Sequence, residues 1–74
     1  MKLPAISGKE LIRCFEKAGY ETVRQKGSHV RLHHKSDKSK KILTVPLHQT
    51  VGKGLLRKIL KDAEISVEEF NELL

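Results

Sequence analysis

The spacing of apolar residues changes period twice along this chain, from helical to alternating and back, which restricts it to a mixed fold of helices and strands. Leu11, Cys14, Phe15 and Ala18 recur every three or four residues, the stripe of an amphipathic helix. Ser7 with Glu10 three residues on is a capping box, in which each side chain accepts from the other's backbone N–H. Ile6 and Leu11 hold the hydrophobic-staple positions around it, and Gly19 marks the helix end. Residues 20–25 then carry Tyr, Thr and Val and stop at Gly27. Residues 29–34 alternate, with Val30 and Leu32 on one side and His29, Arg31 and His33 on the other. After a polar, Lys-rich loop over residues 35–41, residues 42–45 read as a third strand ended by Pro46, which cannot donate to a ladder. Helical spacing returns in Leu55, Leu56, Ile59, Leu60 and Ala63, beginning near Lys53 or Gly54 behind a glycine-rich entry. Ser66 with Glu69 is a second capping box and Ile65 with Phe70 a second staple, predicting a short last helix from about Val67 that buries Val67, Phe70 and Leu73.

The predicted class is α+β, in the order α-β-β-β-α with a short C-terminal helix. The expected sheet is a three-stranded antiparallel meander with the helices on one face and a solvated, basic opposite face. No repeat, linker or low-complexity tract interrupts residues 1–74, so one domain is expected.

At 74 residues the core is small, because a chain of this size buries only about 60% of its unfolded surface. Disulfides and metals are the usual reinforcements at this length. Cys14 is the single cysteine, which excludes an intramolecular disulfide and any multi-cysteine zinc site. It lies on the apolar stripe of the first helix, so a small core residue is expected rather than a reactive thiol. Its usage fits a reducing cytoplasm. No signal-like segment opens the chain and no apolar run approaches the ~20 residues of a membrane span. A soluble, cytoplasmic protein without a membrane role is expected.

Charge narrows the partners. The formal net charge is +6, and all fifteen Lys and Arg fall within the first 61 residues, against four acids there (Glu10, Glu16, Glu21 and Asp37). The last thirteen residues carry five acids and no base, so a body of +11 precedes a tail of −5. Such a body attracts polyanions, of which RNA and DNA are the usual ones. Aromatic residues are only Phe15, Tyr20 and Phe70, and both Phe residues fall at core positions. Single-strand recognition by base stacking is therefore disfavoured, and backbone and ribose contacts are the expected mode.

The histidines are the candidates for proton transfer near neutral pH without a cofactor. His29 follows Gly27 and Ser28 at the start of the second strand, on the face shared with Arg31 and His33 and beside Lys26. On position alone His29 stays open between a surface histidine without a role and an imidazole that exchanges a proton with a ribose 2′-hydroxyl or a leaving oxygen, with neighbouring cations holding the phosphate. His48, after Val45-Pro46-Leu47, stays open between a second acid/base group, an RNA contact and a turn residue. His33 and His34 read as solvated strand-end residues. His29 and His33 are four apart, which in a strand separates them by roughly 13 Å, too far for one metal. No carboxylate lies close in sequence to complete a ligand set, so neither metal nor cofactor is expected. Gly52-Lys53-Gly54 is too short to cradle a nucleotide. Ser28 cannot pair with His29 as nucleophile and base, because adjacent strand residues point to opposite faces; it reads as a turn hydroxyl able to meet a phosphate.

Taken together, Ser7-Gly8-Lys9-Glu10-Leu11, Gly19-Tyr20, Gly27-Ser28-His29, Val45-Pro46-Leu47-His48, Leu56-Arg57-Lys58-Ile59-Leu60 and Ser66-Val67-Glu68-Glu69-Phe70 make the chain resemble the HicA (YcfA-like) toxins over nearly its whole length. The resemblance implies a fold similar to a double-stranded RNA-binding domain and an mRNA interferase, the toxin of a type II toxin–antitoxin pair. It implies His29 as the catalytic histidine and a HicB antitoxin that blocks the active surface. With that reading, Arg24, Lys26, Ser28, Arg31 and Lys53 are the candidate RNA-holding residues, and a metal-free endoribonuclease is the expected activity. The chain departs from the family where Gly54-Leu55-Leu56 stands for the frequent Gly-Thr-Leu, losing a hydroxyl, and in the Lys-rich loop. The competing readings are a non-catalytic double-stranded RNA-binding module, disfavoured because Lys53, Arg57 and Lys58 are interleaved with leucines rather than clustered, and a structural or ribosome-associated basic protein.

Overall fold

Each of the two Ser-x-x-Glu motifs opens a helix in the computed structural model, which describes residues 3–74 of the chain. Helix α1 spans Gly8–Lys17, and Ser7 Oγ accepts the Glu10 N–H at 3.1 Å while the Glu10 carboxylate accepts the Ser7 N–H at 3.3 Å. Helix α3 spans Val67–Leu73 and repeats the device, with Ser66 Oγ 3.1 Å from the Glu69 nitrogen and the return bond at 3.2 Å. Each cap contributes about 1 kcal/mol. Between them lie β1 (Tyr20–Lys26), β2 (His29–His34), β3 (Leu43–Pro46) and helix α2 (Lys53–Ala63). The fold is α+β with the expected element order.

The sheet is antiparallel in the order β1-β2-β3. Strands β1 and β2 meet through the two-residue loop Gly27-Ser28, across which Lys26 pairs with His29. Gly27 sits at φ 59°, a left-handed value that a two-residue hairpin with glycine first requires and that a Cβ would oppose. Val30, Leu32, Leu43 and Val45 point to one face and are buried. There they join Leu11 and Phe15 of α1, Leu56, Ile59 and Leu60 of α2, and Phe70 of α3 in one core. Apart from the Tyr20 hydroxyl, buried without a hydrogen-bond partner, no polar or charged side-chain group is buried among the described residues. The opposite face, carrying Arg24, Lys26, His29, Arg31 and Thr44, is exposed.

Two details depart from the periodicity. Strand β3 is displaced by one residue, leaving Ile42 outside and taking in Pro46. Proline is tolerated because β3 is an edge strand and Pro46 faces His29 at a position where no ladder N–H is needed; the next donor, the Leu47 N–H, bonds the Ser28 carbonyl at 2.6 Å. Strand β1 contains a bulge: Thr22 pairs with Leu32 and Arg24 with Arg31, so Val23 is an extra residue. A bulge shifts every later side chain to the other face. It therefore turns Arg24 and Lys26 toward the face of His29, whereas unbroken alternation from Tyr20 and Thr22 would send them to the core side.

The segment after β3 is tied to the residues before α1. The Val51 N–H donates to the Ile6 carbonyl at 2.7 Å and the Gly8 N–H to the His48 carbonyl at 2.9 Å. This approach leaves no room for a side chain at residue 8: a Cβ on Gly8 would overlap the Pro46 carbonyl and come within 3.0 Å of Leu47 Cα. At Gly54, in the first turn of α2, a Cβ would meet nothing within 4 Å. Gly8→Ala is therefore expected to lower stability by about 1–3 kcal/mol through overpacking. Gly54→Ala is expected to raise it by about 0.4–1 kcal/mol by restricting the unfolded chain. Urea melts of the two variants beside wild type check both signs.

Candidate active site

Strand β2 presents one face to the core and the other to solvent, so the burial of Val30 and Leu32 exposes His29 and Arg31. Register brings neighbours to them: Lys26 lies opposite His29, Arg24 opposite Arg31 on one side, and Thr44 opposite Arg31 on the other. Together Arg24, Lys26, His29, Arg31 and Thr44 line an open groove of about 370 Å³. No carboxylate lines it, and its cations make no ion pair among the described residues. Four of the residues expected from the sequence, Arg24, Lys26, His29 and Arg31, are thus brought together.

His29 also lines a second groove of about 290 Å³, between the outward side of β3 and the flank of α2. Ile42, Thr44, Pro46, His48, Leu55, Lys58, Ile59 and Asp62 are among its walls. His48 and His29 therefore share a groove, with the His48 backbone held by the Gly8 N–H. Ser28 and Lys53 line neither groove. Ser28 occupies the exposed turn immediately before His29, and Lys53 is the exposed first residue of α2. Helix α2 starts without a side-chain cap at Gly52. Leu55, where the chain departs from Gly-Thr-Leu, faces the second groove instead of capping the helix.

The other two histidines are structurally engaged. His33 bonds Glu21 through Nε2 at 2.7 Å. His34 lies on the core side, packs edge-on against Tyr20 at 5.1 Å between ring centroids, and accepts the Asp37 N–H at Nδ1 at 2.9 Å. It thereby anchors the start of the Lys-rich loop, a task that a solvated strand-end residue would not have. Neither His29 nor His48 forms a side-chain hydrogen bond among the described residues. The sequence reading missed Thr44 and the apolar wall of Ile42 and Leu55. Alternation in residues 42–46 carried the signal, since Leu43 and Val45 are the buried pair.

Charge is segregated over the surface. The acids at the end of α2 stay clear of the cationic groove: Asp62 and Glu64 meet the Lys-rich loop, with Lys41 3.8 Å from Asp62 and Lys40 3.8 Å from Glu64, and Lys58 of α2 itself pairs with Asp62 at 3.2 Å. Such exposed pairs contribute little individually, but they leave Arg24, Lys26 and Arg31 uncompensated. Cys14 is buried in the core, and burial pushes its thiol above the ordinary value, outweighing the opposing pull of Lys17. A protonated, inaccessible thiol is a poor nucleophile. Among the described residues no three His, Cys, Asp or Glu side chains are grouped to hold a metal ion. No helix among the described residues is long and apolar enough to cross a membrane.

The family model for the HicA toxin of bacterial toxin–antitoxin systems matches residues 8–65, from the first residue of α1 to just before the cap of α3. The chain belongs to the HicA toxin family. No curated protein and no solved structure matches it. As a HicA chain it is a member of the toxins of toxin–antitoxin systems, whose counterpart is an antitoxin. The matched span contains both grooves and every residue expected for the site.

The hydrogen bond from His33, helped by the charges of His33, Lys35 and Lys38, holds the Glu21 carboxyl below its ordinary value. A carboxyl depressed by folding stabilises the protein above its unfolded pKa, ~4.3 for Glu, and that contribution is lost as pH falls through the lower folded value. Melting temperatures of wild type and Glu21→Gln are expected to diverge at neutral pH and converge as pH falls below ~4. Parallel curves across that range would show that the pair contributes nothing.

Proposed function

We propose that this HicA chain is a metal-independent endoribonuclease, an mRNA interferase acting in the cytoplasm with His29 as general acid/base, neutralised by a HicB-type antitoxin that covers the grooved face. In this reading residues 1–74 work as one domain. The observation that carries it is an exposed imidazole among three uncompensated cations, in a groove lined by no carboxylate. RNA supplies its own nucleophile. Relieved of its proton by an imidazole, a ribose 2′-oxygen attacks the adjacent phosphorus. The 2′-O–P bond forms, the P–O5′ bond breaks, and the departing 5′-oxygen takes up a proton. The products are a 2′,3′-cyclic phosphate end and a 5′-hydroxyl end. Proton transfer of this kind contributes ~10²–10⁴-fold, and cations fixed around the phosphate stabilise charge as it develops.

Arg24, Lys26 and Arg31 serve as the phosphate-holding groups, with Ser28 and Lys53 as flanking contacts. His48, in the groove it shares with His29, is the candidate for the second proton transfer or for an RNA contact. Membership of the HicA toxin family supports the type II toxin role, and in this reading the exposed cationic face is what an antitoxin must cover to silence it.

His29→Ala is expected to lower RNA cleavage by at least ~10²-fold and to abolish growth arrest, while the melt and RNA affinity stay near wild type. Cleavage by this variant at the wild-type rate would overturn the assignment. RNA binding by a wild-type protein that never cleaves would instead support the non-catalytic double-stranded RNA-binding module. Wild-type cleavage is expected to persist in excess EDTA, and full loss would reverse the metal-free reading. Lys26→Ala and Arg31→Ala should each reduce the slope of log affinity against log salt by about 1, measured by fluorescence anisotropy.

A further inference from the structure

We propose that the groove between β3 and α2 is a nucleobase subsite, which receives the base next to the scissile bond and sets where RNA is cut; this rests on the endoribonuclease reading above. His29 lines both grooves, so an RNA strand that places its reacting phosphate at His29 borders both at once. The first groove is built for the backbone, with two arginines, a lysine and Thr44 around the histidine. The second differs in chemistry. Its apolar walls include Ile42 and Leu55, which are 56% and 39% exposed and stand outside the core cluster. Folding gains little from large apolar side chains left in water, so these two have no evident role in holding the fold together.

A nucleobase matches this mixture. Its faces are apolar and suit Ile42, Leu55 and the His48 ring. Its edge is a row of donors and acceptors and suits the Asp62 carboxylate and the Lys58 ammonium, which are already paired at 3.2 Å beside the groove. Asp62 is the sole carboxylate lining either of the two grooves that contain His29, which places an acceptor for base N–H groups away from the phosphate path. An apolar side chain of a partner protein would fill the walls but make no use of the Lys58–Asp62 pair or the His48 ring beside them, so the base is the better match. The subsite also accounts for how a chain with few aromatic residues could still discriminate among nucleotides, using an aliphatic clamp and one imidazole.

The test couples the base to the groove. Cut sites of wild type are first mapped on a long RNA of mixed sequence. An oligoribonucleotide containing one strong site is then made with either neighbouring base intact or replaced by an abasic ribose. Wild type, Leu55→Ala and Ile42→Ala, all confirmed folded by their melts, are compared on these substrates. Removing the base on one side of the cut is expected to lower wild-type kcat/KM about tenfold, the low end of what a lost apolar contact costs in discrimination. The two variants should be slower on the intact substrate by a similar factor and nearly indifferent to base removal. Equal sensitivity of wild type and variants to the missing base would overturn the subsite, as would indifference of wild type. Variants that keep the wild-type cut pattern but escape a co-expressed antitoxin would assign the groove to the partner protein instead. Failure of wild type to cut any RNA would remove the endoribonuclease reading itself, a result distinct from the others.

Discussion

The register of β2 governs everything else in this molecule. Val30 and Leu32 insert into the core from one face, and each fixes the residue beside it on the other. A slip of one position would drive His29, Arg31 and His33 inward and expose the two aliphatic side chains. In a core this small, where the Tyr20 hydroxyl is already buried without a hydrogen-bond partner among the described residues, such a change has no compensation. The Gly27-Ser28 loop at one end and the Tyr20–His34 contact at the other hold the strand in place. Stability and the exposure of the site are consequences of the same alternation.

The rest of the site is assembled by small irregularities superimposed on that alternation. One extra residue in β1 turns Arg24 and Lys26 to the solvent face. A proline admitted on the edge strand ends β3 opposite His29. A side-chain-free residue at the start of α1 lets the chain after β3 close against the helix, which sets the backbone of His48. None of these involves a strong interaction, yet each moves a functional group to the other side of the sheet or by a residue's length.

Much of this was legible in the sequence, for reasons that also explain the remainder. The capping boxes at Ser7 and Ser66 are local devices whose partners lie three residues away, so their meaning does not depend on the fold. The alternation of residues 29–34 could be read because one face had to be buried. The bulge at Val23 could not be read in the same way, because Val23 and Arg24 are both exposed and burial leaves no signature on their order. The sequence places Lys26 beside His29 through the turn and offers Arg24 only as a candidate RNA-holding cation; the physical reason both share the face of His29 is the bulge. His34 shows the converse: its packing on Tyr20 depends on two strands meeting, and its own segment contains no hint of that. The second groove was invisible for the same reason, since its walls come from β3 and α2 and appear together only after the chain has closed.

The bulge has a further consequence at the boundary of the molecule. Strand β1, like β3, is an outer strand of the sheet, and an outer strand offers unpaired N–H and C=O groups to any extended chain that comes alongside. A straight seven-residue edge would be a template for end-on growth into fibrils. The extra residue at Val23 interrupts the regular spacing of those groups midway, and the edge on either side is too short to recruit another copy efficiently. The irregularity that turns two cations toward the face of His29 thus also breaks the regularity of this edge of the sheet.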